Sequence, residues 1–345
     1  VALTYNGANA TESIVPDLSS FSYIDVASGS SDSISVELTD RGRRWIGPWF
    51  PVKGDTLKPV IQTRNWNGDG QIQAFACGTF QVDDFSFSGG PPIRLSLEGL
   101  ALPADSSFKT TQRTLTYEDA TLQEIGQEIA GRAGIALFYE ADTISIKRIE
   151  QTNQSDCEFY NKLVTDYGLV LKIYDNRLVV FSEAQYEAKA AKLTLTEADF
   201  EPGWSWDTTL EGTYTGIKYQ YTNADQNKTF TVEAGGGNRI KTSNTAADNL
   251  SEAITIALAE LNTANKGTTT MSITLKAQLG LIASDCVEIK GLQKLDGKYY
   301  IEKITHSIGS GYKMTLEMRR VEERITTVTL SLIHISEPTR LALIS

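Results

Sequence analysis

Residues 78–98 read GTFQVDDFSFSGGPPIRLSLE, and residues 297–317 read GKYYIEKITHSIGSGYKMTLE. The two stretches align without a gap. Phe80 meets Tyr299, Val82 meets Ile301, Asp83 meets Glu302, Ser88 meets Ser307 and Gly90 meets Gly309. At the end, Arg94-Leu95-Ser96-Leu97-Glu98 meets Lys313-Met314-Thr315-Leu316-Glu317. Each stretch reads as two strands joined by a turn rich in glycine. Upstream, Gly54-Asp55-Thr56-Leu57 matches Ser284-Asp285-Cys286-Val287, and Ser35-Val36-Glu37-Leu38 matches Ser272-Ile273-Thr274-Leu275. Three blocks thus recur in one order, the mark of a duplicated supersecondary unit. Connections this short suit only antiparallel pairing. The expected fold is mainly β: two related antiparallel β-barrels, whose closure removes exposed strand edges, flanking a smaller α+β domain.

Between the repeats the period changes from two to that of a helix. Thr121-x-x-Glu124 is a capping box, followed by apolar Leu122, Ile125, Ile129 and Ala133 and stopped by Gly134. Ser155-x-x-Glu158 repeats the signal, with Phe159, Leu163 and Tyr167 on one face and Gly168 at the end. Residues 169–174 and 178–181, separated by Asp175-Asn176, predict a hairpin. A further helix carries Leu250, Ala253, Ile254, Ala257, Leu258 and Leu261 on one face and stops at Gly267. The predicted domains are 1–110, a first barrel; 111–190, the α+β domain; and 191–329, a second barrel with one amphipathic helix.

Composition narrows the function. The 345 residues carry 32 Lys+Arg against 43 Asp+Glu, a net charge of −11. That balance argues against a main role in gripping nucleic-acid phosphates. No apolar run approaches the 18 or so residues of a membrane span. The chain starts at Val1 without Met, basic n-region or apolar h-region, so no signal peptide is read and the natural start is expected upstream. Cys77, Cys157 and Cys286 are odd in number and far apart, which argues against a disulfide framework or a zinc site. Three buried thiols of a reducing cytoplasm are expected.

No constellation points to catalysis, a cofactor or a metal. A Ser/His/Asp triad needs a histidine as base, and outside the last residues the chain has only His306. It occupies the repeat position of Phe87, so a strand residue on a packed or interface face is expected. Asp83-Asp84 and Glu322-Glu323 are adjacent acids, but neighbours on a strand point to opposite faces. Asn65-x-Asn67-x-Asp69-Gly70 resembles half a calcium loop, yet Ala76 stands where the bidentate acid belongs. A polar hairpin turn is expected instead. Gly235-Gly236-Gly237 lacks phosphate-loop spacing and reads as a flexible loop. Trp66, Trp204 and Trp206 read as half-buried aromatics; the competing expectation is a sugar-stacking platform.

Residues 330–340, LSLIHISEPTR, resemble a translated sequencing adapter, so 330–345 is expected to be a non-native tail that includes His334. The rest resembles the phage late control D proteins. The ordered set is Asp32-Ser33-Ile34-x-Val36-x-Leu38-x-Asp40, Trp45, Lys53-Gly54-Asp55-x-Leu57, Asn65-Trp66, then Cys77-Gly78-x-Phe80-x-Val82-Asp83 and Ser88-Gly89-Gly90-Pro91-Pro92. Gln151, Ser155-Asp156-x-x-Phe159 and Tyr167-Gly168 follow, then Leu295-Asp296-Gly297-x-Tyr299-x-Ile301, His306 and Gly311-Tyr312. The resemblance covers nearly all of residues 1–325. It implies a non-enzymatic baseplate hub of a phage tail or phage-derived injection machine, similar to the N-terminal part of type VI secretion spike proteins. It implies a homotrimeric ring whose six barrels match a sixfold tail tube and whose threefold face receives a central spike. Tape measure and baseplate wedge proteins are further implied partners. The implied location is the virion tail baseplate, assembled in the host cytoplasm. Two other classes compete: a tail-associated carbohydrate-binding or adhesin module, and a cell-wall hydrolase. Because the ends are missing, a C-terminal extension or lytic domain is left open.

Overall fold

The computed structural model describes residues 1–66, 68–101, 107–223, 228–244 and 246–332. The first section runs β1 (Ala2–Tyr5), β2 (Ala8–Asn9), the short helix α1 (Thr11–Ile14), β3 (Leu18–Val26), β4 (Ser33–Asp40), β5 (Thr56–Arg64), β6 (Ile72–Ala76), β7 (Phe80–Ser88) and β8 (Ile93–Leu100). The middle section carries α2 (Ser107–Thr110), β9 (Gln112–Thr121), α3 (Leu122–Arg132), β10 (Ala136–Glu140), β11 (Ser145–Ser155), α4 (Asp156–Asp166), β12 (Leu169–Tyr174), β13 (Arg177–Ser182) and α5 (Glu183–Ala188). Then follow β14 (Leu193–Leu195), β15 (Ser205–Thr208), β16 (Gly216–Asn223), β17 (Lys228–Gly235), β18 (Ile240–Ser243) and α6 (Leu250–Asn265). The last section is β19 (Thr269–Lys276), β20 (Cys286–Ile289), β21 (Gly297–Ile308), β22 (Tyr312–Arg320) and β23 (Val328–Leu332).

The repeat read from the sequence is a repeat in space. The strand order β4–β8–β7–β5 recurs as β19–β22–β21–β20. Ser35 lies opposite Glu98, and Ser272 lies opposite Glu317. Leu57 faces Phe80 as Val287 faces Tyr299. Register breaks between Val82 and Asp84 in β7, and between Ile301 and Lys303 in β21. A bulge adds one residue and flips the side-chain parity beyond it. Phe80 and Val82 before it, and Phe85 and Phe87 after it, therefore serve one face. Tyr299, Ile301, Ile304 and His306 do the same.

Even the entry turns agree. The Val52 amide donates to Asp55 Oδ2 at 2.9 Å, and the Ile282 amide to Asp285 Oδ2 at 3.0 Å. The Gly54 and Ser284 amides each donate across to the next strand, to Val82 O and Ile301 O, at 2.8 Å. Gly54 has φ +90 and Ser284 φ +87. The turn demands a left-handed residue, and the second half meets that demand with a serine.

The two halves join into one sheet. β21 pairs antiparallel with β3, from Lys303 opposite Val26 to Ile308 opposite Phe21. A shared core includes Phe21, Tyr23, Leu38, Phe80, Leu97, Met271, Tyr299, Ile304 and Leu316. The middle section adds the sheet β10–β13–β12 and the ribbon β11–β9. Both capping boxes form: Thr121 and Glu124 close α3, and Ser155 and Glu158 close α4. The α3 and α4 helices meet at Gly126, where a Cβ would lie 2.0 Å from the Tyr160 hydroxyl. Asp175 and Asn176 both have positive φ, as the two-residue turn between β12 and β13 requires.

A second compact unit comprises described residues of 165–168, 209–268 and 322–332. Its sheet runs β18–β16–β17–β23. Helix α6 packs on it through Ala253, Ile256, Ala257 and Leu261, against Ile217, Tyr219 and Val232. The amphipathic helix grouped by sequence with the strands of 191–329 therefore covers a separate sheet, not the repeated one. Tyr167 likewise leaves the face of Phe159 and Leu163, and its hydroxyl donates to Glu252 of α6. Backbone pairing of β23 with β17 runs on to Leu332, into the adapter-like stretch. Residues 333–345, including His334, lie outside the described residues.

Candidate assembly surface

His306 is the histidine that lies among the described residues. It lies on β21, fully buried, with its ring 5.5 Å from Tyr23 and 15° from parallel. Its Nδ1 is 2.8 Å from the Tyr312 hydroxyl. Burial pushes its pKa from 6.5 down to about 4, so the ring is neutral at pH 7. It is a strand residue on a packed face, as expected.

The other sequence candidates resolve the same way. Trp66 donates from Nε1 to Ala277 O at 2.8 Å, and Trp206 to the Tyr299 hydroxyl at 3.1 Å. Trp204 sits edge-on to Phe200 at 6.3 Å. All three are half-buried and pack against the core, as the first expectation had it. Asn65 Oδ1 accepts from the Gly70 amide at 2.8 Å and closes a hairpin turn; Asn67 lies outside the described residues. Among the described residues no cluster of three or more His, Cys, Asp or Glu could hold a metal. Cys77 and Cys286 are buried and Cys157 half-buried, all as free thiols. Burial pushes Cys77 up to about 12 and Cys286 to about 11, far from nucleophilic thiolates.

Two expectations need correction. Asp83 and Asp84 do not point to opposite faces: they sit at the β7 bulge and both reach solvent. The Gly235–Gly237 run is a bonded turn, not a free loop. The Gly236 amide donates to Thr215 O at 2.9 Å, and a Cβ on Gly235 would lie 2.3 Å from that oxygen.

Sequence motifs missed the buried charge clusters. Lys172 of β12 pairs with Asp25 and, at 3.4 Å, with Asp32. Asp25 also accepts from the Ala283 amide at 2.7 Å, and Asp32 from the Val26 amide at 3.0 Å. This cluster ties the middle section to both halves of the large sheet. Burial, partly offset by Lys172, raises the Asp32 pKa to about 7. Arg319 of β22 pairs with Glu187 and, at 3.2 Å, with Glu183, both on α5. Arg132 grips Asp156 through two bonds of 3.0 and 2.9 Å. No single residue of these clusters stands out in sequence, because the partners are up to 258 positions apart.

The fold exposes one apolar loop and two strand edges. Loop 41–55 presents Ile46, Trp49, Phe50 and Val52, 37–61% exposed. Phe50 stacks on Phe87 at 5.6 Å and meets Phe85 edge-on at 5.5 Å. Trp49, Phe50 and Val52 line a groove with Tyr5, Ile14 and Trp45. Exposed contiguous apolar surface marks interaction sites. β15 pairs only with β19, and β7 beyond Val82 only with β8, among the described residues. No helix among the described residues is long and apolar enough to cross a membrane.

Sequence comparison finds no matching family model and no matching curated protein. Solved structures do match. A tail protein from Neisseria meningitidis superposes with a TM-score of 0.70 at 13% identity, covering 92% of this chain and 96% of that one. A 43 kDa tail protein of prophage MuSo2 from Shewanella oneidensis gives 0.70 at 14% identity, covering 92% and 97%. A type VI secretion component from E. coli, described as similar to T4 tail proteins gp27 and gp5, gives 0.54 at 12%, covering 89% and 74%. The chain has the fold shared by these phage tail and type VI secretion proteins, mainly β with an α+β insert.

Proposed function

We propose that this protein is a structural baseplate hub of a phage tail or phage-derived injection machine, and that it works without catalysis. Its partners are two further copies of itself, a tail tube protein and a central spike protein, with tape measure and wedge proteins at the periphery. Its place is the tail baseplate, assembled in the host cytoplasm. The observation that carries this reading is the duplication: one chain holds the same strand order, register and bulge twice. Three such chains present six similar units to a sixfold tube and keep threefold symmetry for a spike. Neighbours in a tail and in a type VI secretion system support this setting. A hub must also resist the thrust of contraction, and buried charge clusters that tie separate sections together suit that demand.

The test is assembly with the neighbouring tube protein. Mixed with it, the chain is expected to cap one end of tube rings at three copies per six tube subunits. Failure to bind the tube at any ratio removes the hub reading.

A further inference from the structure

An acid stands on β3 where the strand pattern calls for an apolar residue. Phe21, Tyr23 and Asp25 share the buried face of that strand, and Asp32 leads into its neighbour β4. Lys172 of β12 reaches between the two acids. Its Nζ lies 2.5 Å from Asp25 Oδ1 and 3.4 Å from Asp32 Oδ1. The Lys172 side chain is 11% exposed, that of Asp25 2% and that of Asp32 not at all. A buried ion pair needs one acid, and a second one adds a desolvation cost. The surplus acid therefore calls for a purpose. The other buried clusters hold their acids with arginine, which stays protonated and is no nucleophile. Lys192 meets Asp285 at 2.9 Å, but its side chain is 51% exposed to competing water. At Lys172 an amine, a carboxyl and a second carboxyl share one buried site.

We propose that Lys172 and Asp25 join covalently, Nζ to Cγ, in an isopeptide bond that forms after folding with Asp32 as the proton carrier. Burial works against the Lys172 charge, but Asp25 and Asp32 outweigh it and keep the ammonium, so a proton must leave before Nζ can attack. Asp32 can hold that proton, since burial, partly offset by Lys172, raises its pKa to about 7. Asp32 takes the proton from Nζ and passes it to Asp25 Oδ1, leaving a neutral amine beside a neutral carboxyl. The Nζ lone pair then forms the bond to Cγ, and charge gathers on Oδ2. The Ala283 amide already donates to Oδ2 at 2.7 Å, as an oxyanion donor must. A second proton follows the first from Nζ to Oδ1 through Asp32. The Cγ–Oδ1 bond breaks, Oδ1 leaves as water, and Asp32 ends as it began. Ammonium and carboxylate have become an amide and one water, with no other reactant. A cavity of about 160 Å³ beside the pair, lined by Tyr23, Phe75, Tyr174 and Phe181, gives that water a way out. Groups held in contact react as if at up to about 10⁸ M. The bond locks β12 of the middle section to β3 of the large sheet.

Intact-mass spectrometry of the full chain, folded and then denatured, tests this. The expected mass is one water below that of the expressed sequence. A protease digest should give one branched peptide that holds both Asp25 and Lys172. K172M should keep the full mass. D32N leaves the lysine and Asp25 in place but cannot carry the proton, and should convert at least about a hundredfold more slowly. On a denaturing gel the wild-type chain should run ahead of K172M, because the bond closes a loop across 147 positions. The wild-type mass carries the test even if a variant fails to fold, and it is read on the single chain, apart from any ring. The full sequence mass in aged, folded wild-type protein overturns the bond and leaves an ion pair. A lost water that hydroxylamine attacks, at Asp69-Gly70 or Asp296-Gly297, is a succinimide and overturns it too. Unslowed conversion of D32N overturns the role of Asp32.

Discussion

Tyr23 and His306 lie face to face across the β3·β21 junction, ring centroids 5.5 Å apart. They come from sections 283 residues apart in the chain and sit where the two repeated halves are sewn into one sheet. The neutral state of His306 is therefore part of the joint. The unfolded imidazole binds a proton as pH falls through 6.5; the folded one resists until about 4. Its contribution is complete above pH 6.5 and is lost as pH falls toward 4, about 3 kcal/mol in all. Thermal melts from pH 7.5 to 4 should show the decline. H306F, which copies Phe87 of the first half, should flatten it; an unchanged slope would contradict this role.

Arg319 is 2% exposed and faces Glu183, Glu187 and Glu302. Replacing it with Met leaves two buried carboxylates on α5 without their cation. R319M should lose about 3–5 kcal/mol in denaturant unfolding. A loss below 1 kcal/mol would mean that water already reaches those acids.

Gly126 and Gly131 share helix α3 but not their surroundings. A Cβ at Gly126 strikes Tyr160, whereas one at Gly131 meets nothing within 4 Å. G126A should destabilise by about 1–3 kcal/mol through overpacking. G131A should stabilise by up to about 1 kcal/mol, since alanine favours the helix. Opposite signs in parallel urea titrations check the close approach of α3 and α4.

The repeated turns make a paired prediction. Asp55 and Asp285 each accept from the amide three residues back. D55A and D285A should each cost about 1 kcal/mol or more, since Asp55 also accepts from Asn6 Nδ2 at 2.8 Å and Asp285 also pairs with Lys192 at 2.9 Å. The double variant should be additive, as the turns are separate. Strong coupling in the cycle would contradict that.

Much of this architecture was legible in residues 78–98 and 297–317, because strands and the turns between them depend on local alternation. The capping boxes placed α3 and α4 for the same reason. What stayed hidden is long-range. Nothing local in β3 says that β21, rather than another strand, will lie beside it. Helix α6 reads as one more amphipathic helix, and its apolar face does not say which sheet it covers. The bulge also defeated the parity argument for Asp83 and Asp84, since one inserted residue reverses every face beyond it. The charge clusters were invisible because each acid has many cations to choose from and only the fold selects one.

The central claim is that the two repeated units of one chain become six around an axis when three copies assemble. Negative-stain imaging of the full chain, with native mass spectrometry on the same sample, tests it most directly. The account predicts a trimer with a central opening and six lobes arranged with threefold symmetry. A strict monomer at high concentration, or a closed ring of any other number, would contradict it.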